Sequence, residues 1–149
     1  MSQLSEFYSK AILEHFKHPH NLGKLEDADI IEKGFNVSCG DDIHLFVRLK
    51  DHIIEQVSHV GRRSAISQSS TSMMTEVLTG KRIEEALALV EEFDKMITGQ
   101  EPFQEDGDLA EFSALKGVVK MPSRVPCAML PWGTLKIGIE RFQQAGKKT

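Results

Sequence analysis

The chain has 149 residues, 40% hydrophobic and 27% charged, enough for one domain with its own core. Its formal net charge of -4 argues against a general attraction to nucleic acid or to an anionic membrane surface. No apolar run approaches a membrane span, and the start MSQLSEFYSK lacks the pattern of a signal peptide. Two cysteines without CxxC spacing do not make a disulfide framework, so a cytoplasmic, reducing location is expected.

Leu4, Tyr8, Ala11, Ile12 and Phe16 recur at helical spacing, and Pro19 stops that helix. His20-Asn21-Leu22-Gly23 reads as a turn, and residues 27–36 carry a short β-like run around Ile30 and Ile31. Ile43, Leu45, Val47 and Leu49 alternate with His44, Phe46 and Arg48, the pattern of a strand with one buried face. Asp51-His52 marks the turn into a second strand from Ile53 to Val60.

The second half reads as helical. Ile66, Ser70, Met73, Met74, Val77 and Leu78 form one face of a helix ending at Gly80, with the methionine pair in the core. Ile83, Ala86, Leu87, Val90, Phe93 and Ile97 form the face of the next, ending at Gly99. Residues 100–108 are acidic and polar and read as a surface loop. Leu109, Phe112 and Leu115 predict a short helix closed by Gly117. A last helix is predicted from near Ser123 to Phe142, with Leu135, Ile139 and Phe142 inward and Pro131 starting, breaking or kinking it. Strands first and helices after predict an α+β fold: a small antiparallel sheet with helices on one face, in a single domain over residues 1–149.

The chemistry concentrates in few residues. Cys39 and Asp41 stand at i and i+2, and in an extended segment their side chains point the same way. Gly40 between them lets the backbone bend toward an ion. Thiolate and carboxylate are both zinc ligands; the plainer reading is a loop cysteine beside a turn acid. Cys127 reads either as a small buried hydrophobe or as a thiol activated by Arg124 or a helix N-terminus. Nothing in the spacing brings it to Cys39, and a disulfide between the two is the less expected pairing in a reducing compartment. Ser64 is placed as an N-cap or first-turn residue of the Ile66 helix. Arg62 and Arg63 before it disfavour a cation and favour an anion. His15, His18 and His20 gather at the end of the first helix, where a structural role fits the helix dipole better than a metal role. His44 and His59 lie on strands.

Taken together, the chain resembles the SufU/IscU (NifU N-terminal-like) family of iron–sulfur cluster assembly proteins, and the SufU type in particular. The resemblance rests on Tyr8, Ile12, His15, Pro19, Asn21 and Gly23, on Asn36-Val37-Ser38-Cys39-Gly40-Asp41, and on Ala65-Ile66-Ser67 and Ser72-Met73-Met74-Thr75. It closes with Arg124-Val125-Pro126-Cys127-Ala128-Met129-Leu130-Pro131-Trp132. It implies a three-stranded antiparallel sheet with helices packed on it. It also implies that Cys39, Asp41 and Cys127 meet at one end of the molecule as metal ligands. Cys39 would be the sulfur acceptor from a cysteine desulfurase of the SufS type, with other cluster assembly proteins as further partners. Zinc is the implied metal, and iron or a transient [2Fe–2S] cluster on Cys39 and Cys127 the implied cargo. The chain departs from the family where Gly-x-Gly-Cys-Ala becomes Gly61-Arg62-Arg63-Ser64-Ala65. Serine takes the fourth ligand position, and arginine takes a glycine position where it is expected to alter the backbone.

Three functions are therefore weighed. The first is an iron–sulfur biogenesis protein that accepts sulfur on Cys39, with a metal masking the thiolate, and/or serves as a cluster scaffold. The second is a degenerate relative acting as a binding or regulatory module. The third is a metal-dependent hydrolase, for which Asp42 or His44 would have to be the base.

Overall fold

Strands β1 (Ile30–Asn36), β2 (Asp41–Lys50) and β3 (Ile53–Val60) form one antiparallel sheet in the order β1-β2-β3. This computed structural model describes residues 3–147, with side chains from Lys10 to Gly146. Leu4 and Tyr8, expected inward on the first helix, lie outside the described side chains. Between β2 and β3, Asp51 (φ 52°) and His52 (φ 65°) both adopt the left-handed conformation. Two such residues make the tight turn whose twist matches paired strands. The register sets Ile30 opposite Val47, Glu32 opposite Leu45 and Gly34 opposite Ile43, so one face collects Ile43, Leu45, Val47 and Val57, each fully buried.

Helices cover that face. They are α1 (Gln3–Lys17), α2 (Ala65–Leu78), α3 (Ile83–Ile97) and α4 (Val125–Lys147), with a 3-10 helix at Ala110–Lys120 before the last. On α1, Ile12 and His15 turn inward, whereas Phe16 is 37% exposed and does not join the core as its spacing suggested. A three-residue step carries the buried stripe from Ile12 to His15 instead. The 3-10 helix runs through Gly117 rather than closing there, and buries Phe112, Leu115 and Val118. Helix α4 starts at Val125, continues past Phe142 and passes through Pro131 in its second turn rather than starting or breaking there. The proline removes one ladder bond, to the carbonyl of Cys127. Burial of Trp132, Leu135 and Ile139 offsets that loss. Trp132 stacks on Phe93 at 4.9 Å and meets Phe112 edge-on at 5.4 Å, which locks α3, α4 and the 3-10 helix together.

Helix α2 lies at the centre, buried on most of its circumference. It is rich in small hydroxyl residues, and these replace apolar bulk with bonds to neighbouring backbones. Ser69 Oγ donates to Ile12 O (2.7 Å) on α1, and Ser70 Oγ donates to Ala128 O (2.7 Å) on α4. Met73 and Met74 are in the core as expected, 1% and 0% exposed. Helix α4 approaches β1 closely at Gly34. A Cβ there would fall 1.9 Å from Thr134 Oγ1, so only glycine fits this crossing.

Candidate metal and sulfur site

The β1–β2 connection delivers the first two candidate ligands. Residues 37–40 form the turn, and Gly40 adopts φ 69°, which glycine takes without strain. Cys39 therefore sits in the turn rather than in extended chain. Asp41 opens β2 opposite Asn36 and is 1% exposed. Asn36 holds the turn from both sides: its Oδ1 accepts from Ser38 N (3.1 Å) and its Nδ2 donates to Cys39 Sγ (3.7 Å). The sequence reading did not single out Asn36, although asparagine before a turn is a signal for this arrangement.

Helix α4 delivers the third. Cys127 stands in its first turn, 3% exposed, with its N–H donated to Arg124 O at 3.0 Å. The positive end of the helix dipole faces this position and favours an anion there. One ligand atom each from Cys39, Asp41 and Cys127 lie within 4.8 Å of one another. The two sulfurs are joined as a disulfide, with Cα atoms 6.8 Å apart and 88 residues of separation, against the expectation that they stay free. The reason is proximity set by tertiary folding, which the spacing in sequence cannot show. A disulfide ligates nothing, so metal or sulfur chemistry here starts from the reduced pair.

Ser64 completes the corner in an unexpected way. It is the N-cap of α2, as expected, and its Oγ accepts weakly from Ser67 N (3.4 Å). Its N–H donates to Asp41 Oδ1 (2.7 Å) and its hydroxyl donates to Asp41 Oδ2 (3.2 Å). Ser64 thus grips both oxygens of the Asp41 carboxylate. Gly61 (φ 140°) lies against Asp42, where a Cβ would fall 2.3 Å from Asp42 O. Arg62 N donates to Asp42 Oδ1 at 3.2 Å. Asp42 and His44 alternate onto the opposite strand face from Asp41.

Arg63, unlike Gly61 (φ 140°), does not adopt the left-handed conformation. Its side chain is 7% exposed. Nη2 reaches Gln68 Oε1 at 3.4 Å, while Nε and Nη1 have no hydrogen-bond partner. Burial lowers the guanidinium to about 10, opposed by the charges of Asp42 and Asp41. His59, completely buried on β3, places Nε2 2.9 Å from His20 O. Burial, and then the charge of Arg63, push His59 down to about 4.

The two sulfurs, the carboxylate and the helix cap define a small α+β domain organised around a thiol–carboxylate corner. Residues 7–149 match the family described as NifU-like N terminal domain, and the chain belongs to that family. It is 39% identical over 137 residues to the iron–sulfur cluster assembly scaffold protein IscU of Thermotoga maritima, covering 92% of this chain and 95% of that one. It is 37% identical over 140 residues to the zinc-dependent sulfurtransferase SufU of Bacillus subtilis, covering 94% of each. Among solved structures, a putative iron–sulfur cluster assembly scaffold protein for the SUF system from Fervidobacterium islandicum superposes with TM-score 0.75 at 37% identity. That match covers 93% of this chain and 96% of the other. Among the described residues, no helix is long and apolar enough to cross a membrane.

Proposed function

We infer that the chain is an iron–sulfur cluster biogenesis protein that accepts sulfur on Cys39. The observation that carries this is the meeting of Cys39, Asp41 and Cys127, whose ligand atoms lie within 4.8 Å although 88 residues separate the cysteines. Cys39 is the exposed member of the set, half-buried beside a buried Asp41 and a buried Cys127. An incoming sulfur donor reaches it first. The names of the relatives, assembly scaffold and zinc-dependent sulfurtransferase, support the same reading.

The chemistry balances without an external oxidant. A dithiol reductant first opens the Cys39–Cys127 bond, giving two thiols. The Cys39 thiolate then attacks the outer sulfur of a persulfide on a cysteine desulfurase of the SufS type. A new S–S bond forms on Cys39, the donor's S–S bond breaks, and the desulfurase cysteine leaves as thiolate. Asn36 Nδ2 and the dipole of α4 both favour negative charge at the sulfurs.

Zinc fits the reduced corner. Tetrahedral zinc holds ligand atoms roughly 3.3 to 3.8 Å apart, within reach of a set already gathered inside 4.8 Å. Cys39, Asp41 and Cys127 would hold it, and it would mask the thiolates until the donor docks. With two thiolates the chain is a poorer host for a persistent iron–sulfur cluster, which favours four; a transient cluster remains cargo rather than a resident group.

The test is mass analysis of the reduced protein after incubation with a desulfurase and cysteine. The protein gains one sulfur atom, the Cys39→Ser variant gains none, and Cys127→Ser still gains it. Absence of the added sulfur on the parent chain would favour the second reading, a binding or regulatory relative without transfer. Arg63 and Ser64, at the positions of the family's glycine and cysteine, motivate that alternative.

A further inference from the structure

We propose a second metal site, built from His15, His20 and Glu76, for a divalent cation of the zinc type. One ring nitrogen of each histidine and one Glu76 oxygen lie within 4.8 Å of one another. The three ligands come from three segments: the end of α1, the turn that follows it, and the last turn of α2. None belongs to the cysteine corner. Ser64 and Glu76 both belong to the α2 segment, 12 residues or about 18 Å apart along the helix axis.

The donor set and its support match what zinc requires. Two imidazoles and a carboxylate are an established zinc set with an open fourth position. His15 is 9% exposed, and both its ring nitrogens have partners: Nδ1 lies 2.8 Å from Ser72 Oγ, Nε2 lies 2.8 Å from Glu111 Oε1. Whichever nitrogen takes the metal, the other is held, which is the usual outer support of a ligating histidine. Ser72 Oγ also accepts the backbone N–H of His20 at 2.8 Å, so one buried hydroxyl orients both histidine segments. Asn21, at φ 59°, donates through Nδ2 to Thr75 Oγ1 (2.9 Å) and fixes the turn that presents His20. His20 Nδ1 already contacts Glu76 Oε1, and the two histidine rings lie 4.9 Å apart. A cation replaces the proton between His20 and Glu76 and draws His15 onto the same centre. Both His20 and Glu76 are half-exposed, so their side chains are free to close the last ångström.

The helix dipole alone suggests a structural role for these histidines; Glu76 is remote in sequence, and only the packing of α1 on α2 brings it in. A metal here would pin the end of α1 and its turn to α2. The experiment is titration of the full, reduced chain with zinc and with cobalt. The parent takes two equivalents. The Cys39→Ser/Cys127→Ser variant takes one, and its cobalt form lacks the thiolate charge-transfer band. Adding His20→Ala or Glu76→Gln removes that remaining equivalent, while either change alone in the parent leaves one cobalt with the thiolate band. Both positions are solvent-facing, and an unchanged circular dichroism spectrum shows that the variants fold. A double-serine variant that takes no metal overturns the proposal, as does binding that survives both His20→Ala and Glu76→Gln.

Discussion

Replacing Ser64 by cysteine should change stability in opposite directions with and without zinc. In the metal-free, reduced protein the change removes the hydroxyl that caps α2 and donates to Asp41 Oδ2 at 3.2 Å. Loss of an N-cap costs about 1 kcal/mol. The weakened bond to a buried carboxylate adds to this, because a thiol is a poor donor. The retained bond from Ser64 N to Asp41 Oδ1 limits the total to about 1.5 kcal/mol, or roughly 3 to 6 °C in Tm for a chain of this size. With zinc, the new thiolate becomes a fourth ligand. Binding has to tighten about tenfold to cancel that loss, and about a hundredfold to reverse it by a similar margin. Thermal or urea unfolding of both proteins, in reductant with chelator and in reductant with excess zinc, gives the four stabilities needed. The variant is expected to be the less stable of the two with chelator and the more stable with zinc. A variant as stable as the parent in chelator would sink the assignment of Ser64 as the holder of Asp41. An equal zinc-induced gain in both proteins would show that a thiol at position 64 does not reach the metal.

Acid should destabilise the fold through His59. Its folded pKa, about 4, lies below its ordinary value of 6.5, so the unfolded chain binds more protons between these limits. The stabilising contribution is complete above pH 6.5 and is lost as pH falls toward 4, about 2 kcal/mol between pH 7 and 5 and about 3 by pH 4. Urea titrations across that range measure it, and a His59→Gln variant with an unchanged slope would refute it. At the α4–β1 crossing, Gly34→Ala puts a Cβ against Thr134 Oγ1 and should cost about 1 to 3 kcal/mol. Thr134→Ala in the same chain returns part of that loss; strictly additive effects in the double-mutant cycle would show that the clash is relieved elsewhere.

The turn at Asp51-His52 is a local pattern and appears in the fold where the sequence puts it; the alternation starting at Ile43 holds in part, because Phe46 on the other face is also buried and the register shifts between Arg48 and Leu49. The apolar face of α3 and the core placement of Met73 and Met74 follow from helical spacing in the same way. Phe16 and Gly117 depart from expectation because each depends on what the neighbouring elements offer. Phe16 yields its inward position to His15, whose partners Ser72 and Glu111 lie far off in sequence. Pro131 stays within α4 because the aromatic cluster around Trp132 holds the helix beyond it. At the site, Cys39, Asp41 and Cys127 were readable as residue types, and the family resemblance implied that they meet. The bond between the two sulfurs, the grip of Ser64 on Asp41 and the burial of Arg63 are tertiary facts with no local signal.

Helix α2 holds the corner together with a serine at its N-cap. Ser64, at its start, holds both oxygens of Asp41, and Ser70, two turns on, holds the carbonyl of Ala128, the neighbour of Cys127. The carboxylate and the second cysteine are thus referenced to one rigid element, and their separation does not depend on a bound ion. An ionised carboxylate has about four acceptor sites, and Ser64 uses two. Lone pairs on Asp41 therefore remain for a cation. On the proposed reading, serine rather than cysteine at this position costs one thiolate's worth of affinity, not the arrangement of the other groups. Arg63 acts in the opposite sense, because a buried guanidinium within the field of Asp41 and Asp42 supplies part of the positive charge that a metal would bring. The corner is consequently tolerant of metal loss. That suits the sulfur-accepting role proposed for Cys39, which would have to be uncovered each time sulfur arrives.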